Sequence, residues 1–227
     1  MQFVNRVVTL ILLVVVTAFG AARPAAALTP QQELVDKARI TFEKLIGSYE
    51  FGELPGYVKR AKAIMIFPDI FKAGFVIGGE GGSGILLVRD QNKGWSQPAF
   101  YTLAAGSIGL QVGGQSSETV FTIMSDKALN AVLDNQMKFG GGMSIAAGPI
   151  GKGIGADTTT NLSSDVYTFA KTAGLFGGAS FNGAGMLKKD EWNHAYYGPN
   201  ATPYGIVIER KFQNPNTKAL LNSLSPY

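Results

Sequence analysis

From Ala61 onward, short apolar runs alternate with glycine, and glycine falls inside the runs as well as between them. Ala63–Phe67, Ala73–Ile77, Gly84–Arg89, Phe100–Leu103, Ser107–Val112 and Thr119–Met124 are short, rich in β-branched residues and bounded by turn residues, the pattern of strands. Glycine within a strand weakens it locally and marks a bulge, a bend or a close approach of two backbones. So many such positions predict a strongly coiled, barrel-like antiparallel sheet. Glycine makes up 29 of 227 residues, against a usual share of about 7%, and the lack of a Gly-X-Y period excludes collagen.

Helical periodicity frames this region. In Gln31–Ser48 the residues Leu34, Val35, Ala38, Phe42, Leu45 and Ile46 share one face, with Thr29 as N-cap and Pro30 at the first helical position. Tyr49–Gly56 reads as a loop, and Asp90–Gly94 as a hairpin connection leading to Trp95. Ser125–Phe139 reads as a helix lined by Leu129, Val132, Leu133 and Met137. Strand texture resumes at Met143–Ala147, Gly151–Thr160, Asp165–Ala170 and Leu175–Asn182. A short helix at Lys188–Tyr197, a last strand at Tyr204–Lys211 and a terminal helix at Asn216–Leu224 complete the pass. The hexamers Gly74–Gly79 and Gly109–Gly114 echo each other weakly. No long linker interrupts the chain. The expected fold is a β-rich α+β domain over 28–227, with a helical lead-in at 29–60, a glycine-rich core at 61–211 and a C-terminal helix at 216–224.

Residues 1–27 read as an export signal and stand outside the fold. Arg6 supplies a basic start, Val7–Ala22 is almost wholly apolar, and Ala25-Ala26-Ala27 fits a cleavage site before Leu28. Cleavage after Ala22, or retention as an anchor, is the alternative. The apolar run is shorter than the roughly 20 residues that span a bilayer. Without Arg6 and Arg23 the count of Lys and Arg falls from 20 to 18 against 16 acids, a net charge of +2. The expected location is periplasmic or secreted, with no nucleic acid partner.

Motifs for chemistry are sparse. Zero cysteines exclude disulfides, thiolate metal sites, cysteine nucleophiles and a lipidated N-terminal cysteine. Gly148–Gly153 approaches a phosphate-binding loop but places Ala146 at its first position and Gly153 at its hydroxyl position. Gly79–Gly84 lies between two strands, so it has no helix end on which to seat a phosphate. His194, the single histidine, sits among Trp192, Tyr196 and Tyr197, a setting of packing or hydrogen bonding. Asp190-Glu191 suits the first turn of a helix. The expectation is a non-enzyme with no cofactor and no metal.

One electrostatic feature remains. Lys59, Arg60, Lys62 and Lys72 fall within fourteen residues that contain one acid, Asp69. Near an anionic membrane each such cation contributes roughly 1 kcal/mol. Insertion of Phe42, Leu45 and Ile46 from the first helix would strengthen that grip. The rival use of this apolar face is packing on the domain, which the scarcity of lysine on the opposite face favours.

The region from Ala61 to Ile208 resembles the SYLF domain family, also known as the yeast-type actin-binding domain family. The resemblance rests on an ordered set: Ala61-Lys62-Ala63-Ile64, Phe67-Pro68, Lys72-Ala73-Gly74-Phe75, Ile77-Gly78-Gly79, Gly82-Ser83-Gly84, Gly94–Tyr101, Gly106–Gly114, Ala147–Gly151, Asp165–Phe169, Gly174–Gly178 and Tyr196-Tyr197-Gly198. It implies a non-catalytic lipid-binding domain, aided by an amphipathic N-terminal segment and basic residues; some members also bind actin. The export signal makes the chain similar to a bacterial envelope branch, where actin is not an expected partner. Without cysteine, membrane attachment would be peripheral. The expected function is contact with anionic phospholipid head groups through Lys59, Arg60, Lys62 and Lys72. The alternative is an envelope protein-interaction module using strand edges or the Tyr196-Tyr197 region.

Overall fold

The computed structural model describes residues 28–74, 77–108, 113–135, 137–138, 144–148, 164–174 and 184–227. The first helix forms where its capping signal places it. In α1 (Pro30–Ile46) the Thr29 side chain accepts a hydrogen bond from the Gln32 amide, Pro30 opens the first turn and Gly47 closes the last. Tyr49–Gly56 is not a loop throughout. Tyr49–Phe51 forms a 3₁₀ turn capped by Ser48, and α2 (Leu54–Arg60) follows directly. Pro55 in its first turn, which favours a loop reading, is tolerated there because those amides lack helical partners anyway.

The sheet comprises β1 (Ala63–Gly74), β2 (Ile77–Asp90), β3 (Gly94–Trp95), β4 (Ala99–Ile108), β5 (Gly113–Ile123), β6 (Ile145–Ala147), β7 (Val166–Gly174) and β8 (Gly185–Lys188). Among the described residues the order is β6-β7-β5-β1-β2-β4-β8, with β3 extending the end of β2. All pairings are antiparallel except β6 with β7. The expected strands Gly151–Thr160 and Leu175–Asn182, residues 109–112 of the second hexamer of the weak repeat and residues 1–27 lie outside the described residues.

The expected strand Ala63–Phe67 and the first two residues of the expected strand Ala73–Ile77 belong to one strand, β1, which crosses Pro68 by a bulge, while Ile77 opens β2. The register of β1 slips between Ile66 and Phe71 against β2, and between Phe67 and Ile70 against β5. A central strand tolerates proline only at such an irregularity. The bulge presses on β2, where a Cβ at Gly82 would lie 2.3 Å from the Asp69 carbonyl oxygen, and one at Gly84 2.5 Å from the Phe67 ring. Glycine inside β2 therefore serves close backbone approach, as its position predicts.

The sheet curls into a half-barrel, and the connectivity requires it. Lys138 bridges Gly185 outside β8, while Ile145 in β6 pairs with Val166 at the other edge. Seven residues of chain reach at most about 25 Å. A flat sheet would hold those two positions seven strand spacings apart, roughly 34 Å.

Both faces are packed. The inner face carries Met65, Phe67, Ile70, Leu86, Tyr101 and Phe121 and is covered by α3 (Asp126–Leu133) and α5 (Pro203–Val207). The outer face carries Ile64, Ile66, Ile85, Leu87, Phe100 and Val120 under α1, α2 and α6 (Lys218–Leu224). α3 is shorter than the periodicity suggests: it ends at Leu133, and Asn135 takes a left-handed conformation with φ 61° before the chain turns to the β8 edge.

The expected last strand at Tyr204–Lys211 is a correction. Thr202 caps the Gly205 amide at 3.0 Å and Pro203 starts α5, so Ile206 and Val207 are buried from a helix. The cap and proline outweigh the β-branched run. α4 (Asp190–Tyr197) and α6, preceded by a 3₁₀ turn at Pro215–Thr217, agree with the sequence reading.

Candidate functional site

Lys59 and Arg60 occupy the last turn of α2 and are exposed, a position where cations complement the helix dipole. The Arg60 guanidinium carbon sits 4.9 Å from the centre of the Tyr57 ring. That ring is held in the outer core against Tyr167, 4.6 Å between centroids, and burial pushes the Tyr57 hydroxyl up from its ordinary pKa. Lys62 follows at the start of β1. Its amide donates to the Ile123 carbonyl at 2.9 Å, its carbonyl accepts from the Arg89 amide at 2.8 Å, and its ammonium pairs with Asp126 at 2.8 Å. Arg89, at the end of β2, donates through its guanidinium to the Lys59 carbonyl. Four cationic side chains thus meet at one end of the sheet: Lys59, Arg60, Lys62 and Arg89. Arg89 is absent from the sequence prediction. Its signal is the pairing of Ala63 with Val88, which sets the next residue beside Lys62.

Lys72 does not join them. It lies ten residues farther along β1 than Lys62, roughly 30 Å at strand rise. Its cross-strand partners are Glu80 and Gln115. Burial raises the Glu80 pKa, and Lys72 opposes the rise. The sequence cluster is therefore two groups, at the two ends of one strand.

The membrane-inserting role of the first helix is also corrected. Phe42 and Leu45 are fully buried in the outer core and Ile46 is half-buried against it, so the apolar face of α1 is spent on the domain. Phe42 packs edge-on against Tyr227 with ring centroids 5.8 Å apart. The large apolar side chains that this region exposes, among the described residues, are Leu28, Ile40 and Tyr49.

The aromatic segment serves packing as well. The Tyr196 hydroxyl donates to Gln32 at 2.6 Å and the Tyr197 hydroxyl to the Pro98 carbonyl at 2.7 Å; both rings are half-buried and their hydroxyls engaged within the domain. Asn193 is fully buried, bonded to both backbone groups of Phe100. His194 is exposed on α4, and among the described residues no serine or carboxylate hydrogen-bonds its ring. At the start of the phosphate-loop-like segment, Gly148 is covered by the Phe169 ring, 2.4 Å from where a Cβ would stand; residues 149–153 lie outside the described residues. Among the described residues no three histidine or acidic side chains gather as metal ligands, and no helix is long and apolar enough to cross a membrane.

A cleft of about 420 Å³ adjoins the basic end, lined by Arg89, Asp90, Lys93, Trp95, Asn222 and Tyr227. Asp90 organises its rim by accepting from the amides of Asn92 and Lys93, which hold its carboxyl below the usual range. Trp95 closes the floor, its indole N–H donating to the Leu224 carbonyl at 3.1 Å and the Tyr227 carbonyl at 3.3 Å.

The family model described as Ysc84, Las17-binding protein actin regulator, matches residues 104–227. Protein YSC84 of Saccharomyces cerevisiae is 34% identical over 175 residues, 75% of this chain and 37% of its own length. SH3 domain-containing YSC84-like protein 1 of Xenopus laevis is 30% identical over 175 residues, covering 76% of this chain and 52% of that protein. The protein of that name from Homo sapiens is 30% identical over 157 residues, covering 68% and 46% respectively. The chain thus spans about a third to a half of the length of these relatives.

Proposed function

The chain belongs to the Ysc84 family, the family of SYLF domains, and from that premise we propose that it is a non-catalytic binding domain that contacts anionic phospholipid head groups at a membrane of the cell envelope. In this reading residues 1–27 direct export and the domain works as a peripheral membrane protein. The observation that supports it is the exposed Lys59–Arg60 pair, with Lys62 and Arg89 beside it. Lys62 contributes less, because Asp126 already offsets its charge. With Phe42 and Leu45 docked in the core, attachment is electrostatic and salt-sensitive.

Each cation held at an anionic surface contributes roughly 1 kcal/mol, so removing two should weaken binding roughly 30-fold. The test is co-sedimentation of the chain from Leu28 with neutral and anionic vesicles at low and physiological salt. The wild type should bind anionic vesicles only, less at higher salt, and Lys59→Ala/Arg60→Ala should lose most of that binding. Equal binding by the variant would refute the assigned patch. No wild-type binding to either vesicle would refute the lipid reading.

A protein partner is the second reading, favoured by exposed Ile40 and Tyr49 on the first helical layer and by the family's description as an actin regulator. Salt-insensitive capture of a defined envelope protein, lost in Tyr49→Ala, would support it over lipid.

A further inference from the structure

The turn that walls one side of the cleft is held from two directions. From within, Asp90 accepts from the amides of Asn92 and Lys93 at 2.8 and 2.9 Å. From without, the Arg210 guanidinium donates to four carbonyl oxygens of the hairpin: Gly94 at 2.6 Å, Lys93 at 3.2 Å, and Val88 and Trp95 at 3.4 Å each. The planar fork of an arginine can serve so many acceptors at once, whereas the single ammonium of a lysine cannot.

Arg210 reaches them from a strained backbone. It follows the C-terminal end of α5, where the Lys211 amide returns to the Gly205 carbonyl at 3.0 Å, and its φ is 56°. Glycine is the usual residue in this left-handed position, because a Cβ is penalised there. Such strain persists only where the surroundings over-determine it, and it gathers at functional sites. Here the four carbonyls hold it.

The restrained turn carries Lys93, which is exposed and forms no ion pair among the described residues. Lys93 and Arg89 line the same cleft of about 420 Å³, and its other wall is the end of α6 and the residues after it, with Asn222, Ser225 and Tyr227. That volume lies in the range of small-ligand sites. The cleft therefore has room for one head group, where the Lys59–Arg60 pair offers an open surface.

We propose that Lys93 and Arg89 together grip the phosphate of one phospholipid head group in this cleft, and that Arg210 is the positioning residue that keeps Lys93 in place. This rests on the phospholipid reading above and adds to it a cation that lies outside the cluster visible in sequence.

The test is co-sedimentation of the chain from Leu28 with phosphatidylcholine–phosphatidylglycerol vesicles at low salt, below the melting temperature of every variant. Lys93→Ala should weaken binding about fivefold, the share of one cation at an anionic surface. Arg210→Lys keeps the charge and loses the four bonds. It should weaken binding by about the same factor, and Lys93→Ala/Arg210→Lys should be no weaker than either alone. Lys59→Ala/Arg210→Lys should instead multiply to roughly 25-fold, as independent sites do. Amide exchange at Asn92 and Lys93 should quicken in Arg210→Lys while the remaining spectrum stays folded. Should Arg210→Lys fail to fold, Arg210→Gly, which relieves the backbone strain, replaces it in each comparison. Wild-type binding by Lys93→Ala or by the folded Arg210 variant overturns the proposal and leaves the Lys59–Arg60 patch standing. A multiplied loss in Lys93→Ala/Arg210→Lys overturns the positioning role, because Arg210 would then be an independent contact. Inorganic phosphate that shifts the Lys93 amide as strongly as vesicles do would assign the cleft to free phosphate and overturn the head-group assignment. Absence of wild-type binding to these vesicles would refute the phospholipid reading itself.

Discussion

Gly82→Ala tests the claim that β2 is glycine-rich because the β1 bulge presses against it. The added methyl would stand 2.3 Å from the Asp69 carbonyl oxygen, 3.1 Å from the Ile70 Cα and 3.2 Å from the Asp69 carbonyl carbon. All three are backbone atoms of the central strand, so no side-chain rotation relieves the contact, and the strands must part by about 0.7 Å to reach the shortest contact real Cβ atoms show. Overpacking of a rigid interior costs about 1–3 kcal/mol, and a backbone obstacle places this case at the upper end. Loss of glycine's freedom in the unfolded chain returns about 0.4–1 kcal/mol. The net expectation is a destabilisation of about 2 kcal/mol, or roughly 4–8 °C in Tm for a domain of this size. Gly56→Ala is the matched control: in the first turn of α2 it meets nothing within 4 Å, so the helix should gain up to about 0.8–1 kcal/mol. Urea unfolding followed by circular dichroism, with the slope unchanged, gives both values. A Gly82→Ala midpoint at or above the wild type would refute the reasoning, because β2 would then have room for side chains at the bulge.

Three further outcomes follow from the packing and the electrostatics. Phe42→Ala should cost about 3–5 kcal/mol in urea unfolding, since Phe42 is fully buried; a loss below 1 kcal/mol would mean that α1 is not part of the core. Asn193→Ala should cost about 2–3 kcal/mol by the same assay, because it strips the amide and carbonyl of Phe100 of side-chain partners. The Asp165 carboxyl is held below its usual range by the hydroxyl of Ser125 and by the amide and hydroxyl of Ser144. A depressed folded-state pKa adds stability above the unfolded value, near 3.9, and loses it as pH falls through the folded value. Asp165→Asn should therefore be less stable than wild type at pH 6 and close the gap towards pH 2, and a constant gap would refute the assignment.

Much of this architecture is written in local signals. Thr29 and Pro30 mark the start of α1 and Gly47 its end, and Ser125 caps α3 as its position suggests. What escaped lies in registers. Pro68 looks like a strand terminus, yet the central strand runs through it because Gly82 and Gly84 on the neighbour make room for the bulge. That coupling joins residues on two strands and has no periodicity of its own. The Ile206-Val207 pair looks like a strand because β-branching is read before capping, whereas Thr202 and Pro203 decide the matter. The basic cluster was legible as composition but not as geometry. Strand β1 carries Lys72 away from Lys62, and the register of β1 with β2 brings Arg89 in. The apolar stripe of α1 was legible as a stripe, and only its burial under α6 and against the sheet decides between insertion and packing.

The first and last helices of the domain touch. Gln32 reaches the Asn216 carbonyl at 3.3 Å, Ser223 donates to Glu43, and Phe42 meets Tyr227. Synthesis runs from one of these partners to the other, so the layer over the outer face cannot close until the chain through Tyr227 has left the ribosome. Contacts of such sequence separation also slow folding once both partners are present. During that interval the stripe of α1 is apolar and uncovered. A layer whose first and last helices hold each other thus closes only when both are present, and removal of α6 should leave the apolar stripe of α1 without that cover.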